Sequence, residues 1–198
     1  MGDALLTRAS LLARLGDPQD SAAWKQFVEL YGRLVYGFAR QRGLQDADAA
    51  DLTQEVFLAV SQGASRFKYD PKQGTFRGWL FGLTRNKIAK FLQRRRYQPV
   101  GSGDTNANRR LEEQPDAEPD PKGIWEEEYQ KQLFRLAAAQ IRDNFTDSTW
   151  QAFWATAVEA KSGATVARDL GLSVGAVYVA RSRVLARLAE QIQQMQPE

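Results

Sequence analysis

Cysteine and histidine are both missing from the 198 residues of this chain. Their absence removes disulfides, thiolate nucleophiles, zinc fingers and every His-based acid–base or metal constellation. A Gly-rich phosphate loop is also missing, and the carboxylates fall mainly in helix-surface or linker settings. The expectation is therefore a non-enzyme that needs no cofactor and no metal. No apolar run approaches the roughly 20 residues that cross a bilayer, and MGDALLTRASLLARLGD reads as a short amphipathic helix, not a cleavable signal. A cytoplasmic protein with no membrane role is expected.

What is present is enough hydrophobic material, 43% of residues, for one ordinary domain or two small ones. The formal net charge is only +3, but the charge is segregated. From Gly74 to Tyr97, GTFRGWLFGLTRNKIAKFLQRRRY, there is no acid at all. At helical spacing Phe76, Leu80, Leu83, Ile88 and Leu92 share one face, while Arg77, Arg85, Lys87, Lys90, Arg94, Arg95 and Arg96 spread over the rest. A basic run is often just a solvated face, but a solvated face usually mixes signs, because like charges at i,i+4 repel. Compensation is expected from outside the chain. A phosphate backbone supplies it, and Trp79, Phe81, Phe91 and Tyr97 add flat surfaces for unpaired bases.

In chain order, Leu5, Leu11, Leu12 and Leu15 predict a short helix closed by Gly16, Asp17 and Pro18. Asp20 or Ser21 caps a second, from Ala22 to about Arg42, with Trp24, Phe27, Val28, Tyr31, Leu34, Val35 and Phe38 as its stripe and Gly43 as its end. A third helix follows, capped by Asp46 or Asp48, with Ala49, Leu52, Val56, Ala59 and Val60 inward. Asp51, Gln54, Glu55, Phe57 and Leu58 are then left on its outer surface. Acids there complement the helix dipole, or, beside an exposed Phe, form a docking patch for a basic protein surface. The loop QGASRFKYDPKQGT carries Arg66, Phe67, Lys68 and Tyr69, which either plug the end of a helical bundle or bind a ligand, and the two readings are compatible.

After Tyr97 the composition shifts to Gly, Pro, Asn, Asp and Glu, the mark of a linker with an acidic half from Glu112 to Asp120. That half is a solubilising tether or a shield for a basic face. Ile124, Trp125, Tyr129, Leu133, Phe134, Leu136, Ala137 and Ile141 resume a helical period to about Asn144, and a helix starting at Thr146, with Asp147 or Ser148 as another cap, carries Trp150, Phe153, Trp154, Ala157 and Val158. The segment ATVARDLGLSVGAVYVARSRVLARLAE then reads as a helix-turn-helix. A helix over 165–170 buries Val166, Ala167 and Leu170, Gly171 turns, Leu172 fills the corner and Ser173 caps the next helix. Val174, Val177, Val184, Leu185 and Leu188 hold that helix down, leaving Tyr178, Arg181, Arg183 and Arg187 for a major groove. A plain helical hairpin has the same outline without the small Ala167, the Gly turn and the cap in succession.

On these motifs the chain resembles bacterial sigma factors of the extracytoplasmic-function type, over nearly its whole length. DLTQEVFLAV (51–60) looks like the helix that grips the clamp helices of RNA polymerase, FKYDPKQGTFRGWLFGLTRNKIAKFLQRRRY (67–97) like the segment that melts and reads the minus-10 element, and the helix-turn-helix like the minus-35 reader. The resemblance implies an all-α fold of two small helical domains: a region 2 bundle over 1–97, a flexible acidic linker over 98–122 and a region 4 helix-turn-helix domain over 123–198. It implies that Asp51, Gln54, Glu55 and Phe57 contact polymerase. Ser65, Arg66, Phe67, Lys68, Tyr69 and Asp70 would hold a flipped base, and Arg77, Trp79, Asn86, Lys87, Lys90, Arg94, Arg95 and Arg96 would follow the minus-10 DNA. Ser173, Gly175, Ala176, Tyr178, Val179, Arg181 and Arg183 would read the minus-35 element. Implied partners are core RNA polymerase (clamp helices and flap), promoter DNA and an anti-sigma factor or regulatory kinase. Two departures stand out: Lys90 replaces a common acid, and GAVYVARSRVL puts Tyr178 and Ala180 where many members have basic residues.

Overall fold

The computed structural model describes Leu11, residues 14–17, 19–64, 75–97 and 120–195, and the chain divides into two compact units, one over Thr7–Tyr129 and one built from Gln130 onward. Every regular element among the described residues is helical. The helices are α1 (Ser21–Gln41), α2 (Asp46–Ala64), α3 (Phe76–Tyr97), α4 (Pro121–Ile141), α5 (Asp147–Ala157), α6 (Gly163–Leu170) and α7 (Val174–Met195), with a 3₁₀ turn over Arg142–Asn144.

In the first unit α1 starts where Asp20 accepts the Ala23 N–H at 2.9 Å, satisfying one of the amides that a helix start leaves without a partner. It stops at Gly43, which takes φ +85, while the Leu44 N–H turns back to the Ala39 carbonyl at 3.2 Å. Asp46 and Asp48 lie inside the first turn of α2 instead of capping it. There they complement the dipole, and Asp46 also receives the Tyr36 hydroxyl at 3.1 Å and pairs with Arg40 at 3.0 Å. Thr75 caps α3 by accepting the Gly78 N–H at 3.1 Å.

The core joins Phe27, Tyr31, Leu34 and Phe38 of α1, Leu52, Val56 and Val60 of α2 and Phe76, Leu80 and Ile88 of α3, all essentially buried. Aromatic rings dominate: Phe27 stands 5.0 Å from Tyr31 and 6.1 Å from Phe76, in the tilted and edge-on geometries that ring quadrupoles prefer. Two expectations for α1 are corrected. Val28 is exposed, and Leu30 and Ala39 take buried places that the expected stripe left out.

This unit runs past the expected boundary near residue 122. The first turns of α4, opened by Asp120 and Pro121, lie against α1 and α3. Trp125 is buried edge-on to Phe38, 5.3 Å away, and tilted to Phe81, 5.6 Å away. Its indole N–H is buried with no hydrogen-bond partner among the described residues. Glu128 is buried too, and its carboxylate occupies the space that a Cβ on Gly37 would take, so a larger residue there would have to displace the end of that side chain.

In the second unit Leu133, Ala137 and Ile141 of α4, Ala152 and Phe153 of α5, Val166 and Ala167 of α6 and Val177, Ala180, Val184 and Leu188 of α7 form the core. The Gln191 side-chain amide donates to Gln140 at 2.8 Å, tying α7 to α4.

Candidate nucleic-acid interface

Helix α3 points Phe76, Leu80, Thr84 and Ile88 inward. Thr84 is tolerated in a dry core because its hydroxyl donates to the Leu80 carbonyl at 2.7 Å. Its far side exposes Arg85, Asn86, Lys90 and Arg94, the last three at i,i+4 spacing and hence in one stripe.

Three further expected DNA contacts of α3, Arg77, Lys87 and Arg95, have partners inside the unit. Lys87 pairs with Glu55 at 3.1 Å and Arg95 with Asp48 at 3.2 Å. Arg77 reaches Glu126 at 3.3 Å and lies over the Tyr129 ring, 4.2 Å from its centroid. Burial pushes the Tyr129 hydroxyl above the ordinary phenol range, with the Arg77 charge opposing. The expectation that an external anion balances the whole run is thus corrected. Part of the balance comes from acids far away in sequence, which an i,i+4 reading does not see.

The aromatics are corrected in the same sense. Phe81 is half-buried and packs between Phe38, at 5.8 Å, and Trp125, so its ring serves the core and is not the open flat surface expected of it. Trp79 is half-buried, 5.4 Å from Phe76 and within contact distance of a Cβ placed on Gly63. Ser65, Arg66, Phe67, Lys68, Tyr69 and Asp70, with the side chains of Arg96 and Tyr97, lie outside the described residues.

On α2 the expected outer face is present in Asp51, Gln54 and Glu55, all exposed. Phe57, expected beside them, is half-buried, with its ring 5.1 Å from Phe27. The apolar member of this face is Leu58, 58% exposed and in helical register with Asp51, Gln54 and Glu55. Val28 of α1 adds a second exposed side chain close to Gly32, whose backbone faces the Phe57 ring.

The helix-turn-helix forms from local signals. Ser162 caps α6 by accepting the Thr165 N–H at 3.1 Å. Gly171 adopts φ +64, and the Leu172 N–H closes on the Ala167 carbonyl at 2.8 Å. The Ser173 hydroxyl then accepts the Ala176 N–H at 3.1 Å and starts α7. Val177, Val184 and Leu188 hold α7 down as expected, but Val174 and Leu185 are exposed and Ala180 is buried in their place. Ser173, Gly175, Ala176, Tyr178, Val179 and Arg183 are exposed and Arg181 is half-buried, so the expected reading residues share the open side of one helix.

One feature was not legible in the sequence. An open apolar groove of about 650 Å³ runs along α4, α5 and α6, floored by Phe134, Ala138, Trp150, Trp154, Val166 and Leu170. Arg135, Arg142 and Lys161 edge it with Glu159 and Asp169. Trp150 and Trp154 stack at 6.1 Å, and Arg142, ion-paired to Asp147, covers Trp150. Among the described residues no helix is long and apolar enough to cross a membrane, and no cluster of acids could hold a metal ion.

Residues 27–97 match the family model of sigma-70 region 2. The ECF RNA polymerase sigma factor SigE of Mycolicibacterium smegmatis is 33% identical over 45% of this chain and 33% of its own. RNA polymerase sigma factor NccH of Alcaligenes xylosoxydans xylosoxydans is 34% identical over 39% of this chain and 40% of its own. The matched part thus spans less than half of these relatives. The structure of CnrH in complex with the cytosolic domain of CnrY matches 93% of this chain at 23% identity, with a TM-score of 0.37.

Proposed function

On the match of residues 27–97 to sigma-70 region 2 and the likeness to curated RNA polymerase sigma factors, we propose that the chain is a sigma factor of the extracytoplasmic-function type, a promoter-specificity subunit of bacterial RNA polymerase. In this reading the unit that ends at Tyr129 binds core polymerase and the minus-10 element, and the unit from Gln130 onward reads the minus-35 element. The protein works in the cytoplasm and no side chain of it performs covalent chemistry. Strand opening is driven by binding energy: each opened step costs about 1.4 kcal/mol, offset by captured bases and phosphate contacts.

The observation that carries the reading is one small helical unit with two opposed chemistries. Asp51, Gln54, Glu55 and Leu58 make an acidic and apolar protein-docking face on α2, while Asn86, Lys90 and Arg94 make a basic stripe on α3. An independent duplex-binding regulator would need only the helix-turn-helix. The groove along α4 to α6, with its paired tryptophans, is the surface we assign to the polymerase flap. A regulatory partner such as an anti-sigma factor would compete for these faces.

The deciding experiment is co-elution of the full chain with bacterial core RNA polymerase. Asp51→Ala with Leu58→Ala is the informative variant: both side chains are exposed, whereas Glu55 also pairs with Lys87. Stoichiometric co-elution of the wild type, lost in the variant, is expected. A chain that elutes alone yet binds duplex DNA would overturn the assignment.

A further inference from the structure

The N-terminal half of α7 has an apolar open side. Val174, Tyr178 and Val179 are 43%, 53% and 58% exposed, and Gly175 and Ala176 lie open between them. A soluble helix has no reason to leave a cluster of this kind in water unless something covers it. Its occupant is indicated by charge. No acidic side chain occurs on α7 before Glu190, while Arg181, Arg183 and Arg187 follow directly, so the cluster leads into a surface that suits a polyanion.

Tyr178 is the one polar group in the cluster, and it is held by the other helix of the motif. A Cβ on Gly163 would lie 3.0 Å from the Tyr178 ring carbon Cζ and 3.1 Å from its hydroxyl, so the ring rests on the bare backbone at the start of α6. It braces the two helices together. What remains to meet base edges at the front of α7 is methyl and backbone surface from Ala176 and Val179. In a major groove the only apolar group on a base edge is the C5-methyl of thymine.

Resting on the reading of α7 as the minus-35 reader, we propose that Ala176 and Val179 recognise thymine methyl groups, so that this helix selects its upstream element by apolar contact and leaves the arginines to the phosphates. The chemistry recognised is the C5-methyl on duplex DNA, and Val179 is a specificity-determining residue.

The test uses the full chain reconstituted with bacterial core RNA polymerase to select from randomised duplex fragments. The best fragment is then resynthesised with each upstream thymine replaced by deoxyuridine, which removes the methyl and leaves every hydrogen-bonding group in place. Loss of binding by about fourfold at one or two thymines is expected, the worth of one buried methyl-sized group. Val179→Ala, at an exposed position and so without consequence for folding, should abolish the sensitivity at one of them with the salt dependence unchanged. If the selected upstream element is insensitive to every deoxyuridine, methyl recognition is wrong while the reader assignment stands. If no upstream element is selected at all, the reader assignment falls and this inference with it. Equal deoxyuridine sensitivity in wild type and Val179→Ala would also overturn the role given to Val179.

Discussion

Asp20 concentrates several effects in one side chain. It caps α1 through the Ala23 N–H and takes two hydrogen bonds from Arg14, at 2.7 and 3.0 Å. The Arg14 hydrogen bond first, and the Ala23 amide next, hold its carboxyl below the ordinary Asp range. A depressed carboxylate contributes stability above its unfolded value and loses it as pH falls through the lower folded one. The thermal midpoint of the chain should therefore drop through the acid range. Asp20→Asn keeps a capping acceptor but cannot ionise, so its melting curves should change less with pH than the wild type; parallel curves for the two would rule the mechanism out. Helix ends were legible at Asp20, Gly43, Thr146, Gly171 and Ser173, whose capping bonds or turns close within about four residues, whereas Asp46 and Asp48, equally local candidates, lie inside α2.

At the scale of helices the informative one is α4. Its periodicity was legible, but not the neighbour that its first turns cover, because Trp125, Phe38 and Phe81 come from three separate stretches of chain. Trp125→Ala should lower the stability of the first unit by about 3 kcal/mol in urea titrations, as for truncation of a buried aromatic. Trp125→Phe keeps a ring there and removes the buried N–H that has no partner among the described residues, so its loss should be much smaller. Similar losses for both would mean that the ring contacts are not what holds α4 down. The exposed Val28, Val158, Val174 and Leu185 illustrate the complementary limit. A stripe can be counted along one helix, but how much of it is covered depends on the width and position of a partner helix.

For the molecule as a whole the balance of charge decides which basic residues stay exposed, and hence which would meet DNA in the proposed function. Lys90 and Arg94 are exposed, while Arg95 is half-buried and paired with Asp48. In holoenzyme, Lys90→Ala and Arg94→Ala should each weaken binding across many promoters alike and lower the salt slope by about 1. Arg95→Ala should change the slope less and instead reduce stability by at most about 1 kcal/mol, the range of an exposed ion pair. Equal slopes for Arg94→Ala and Arg95→Ala would show that the Asp48 pair opens on binding.

The helical class, the capped ends, the helix-turn-helix and the acidic face of α2 were all present in the linear chain, because hydrogen bonds of helices and caps close over a few residues. Folding in three dimensions settled which of those features stay free. It turned Phe57 and Phe81 into packing, exposed Leu58, took Lys87, Arg77 and Arg95 into ion pairs, carried the first unit through Tyr129, and opened the groove between α4, α5 and α6. Burial and ion pairing are contacts between residues tens of positions apart, and no periodicity along one helix encodes its neighbour.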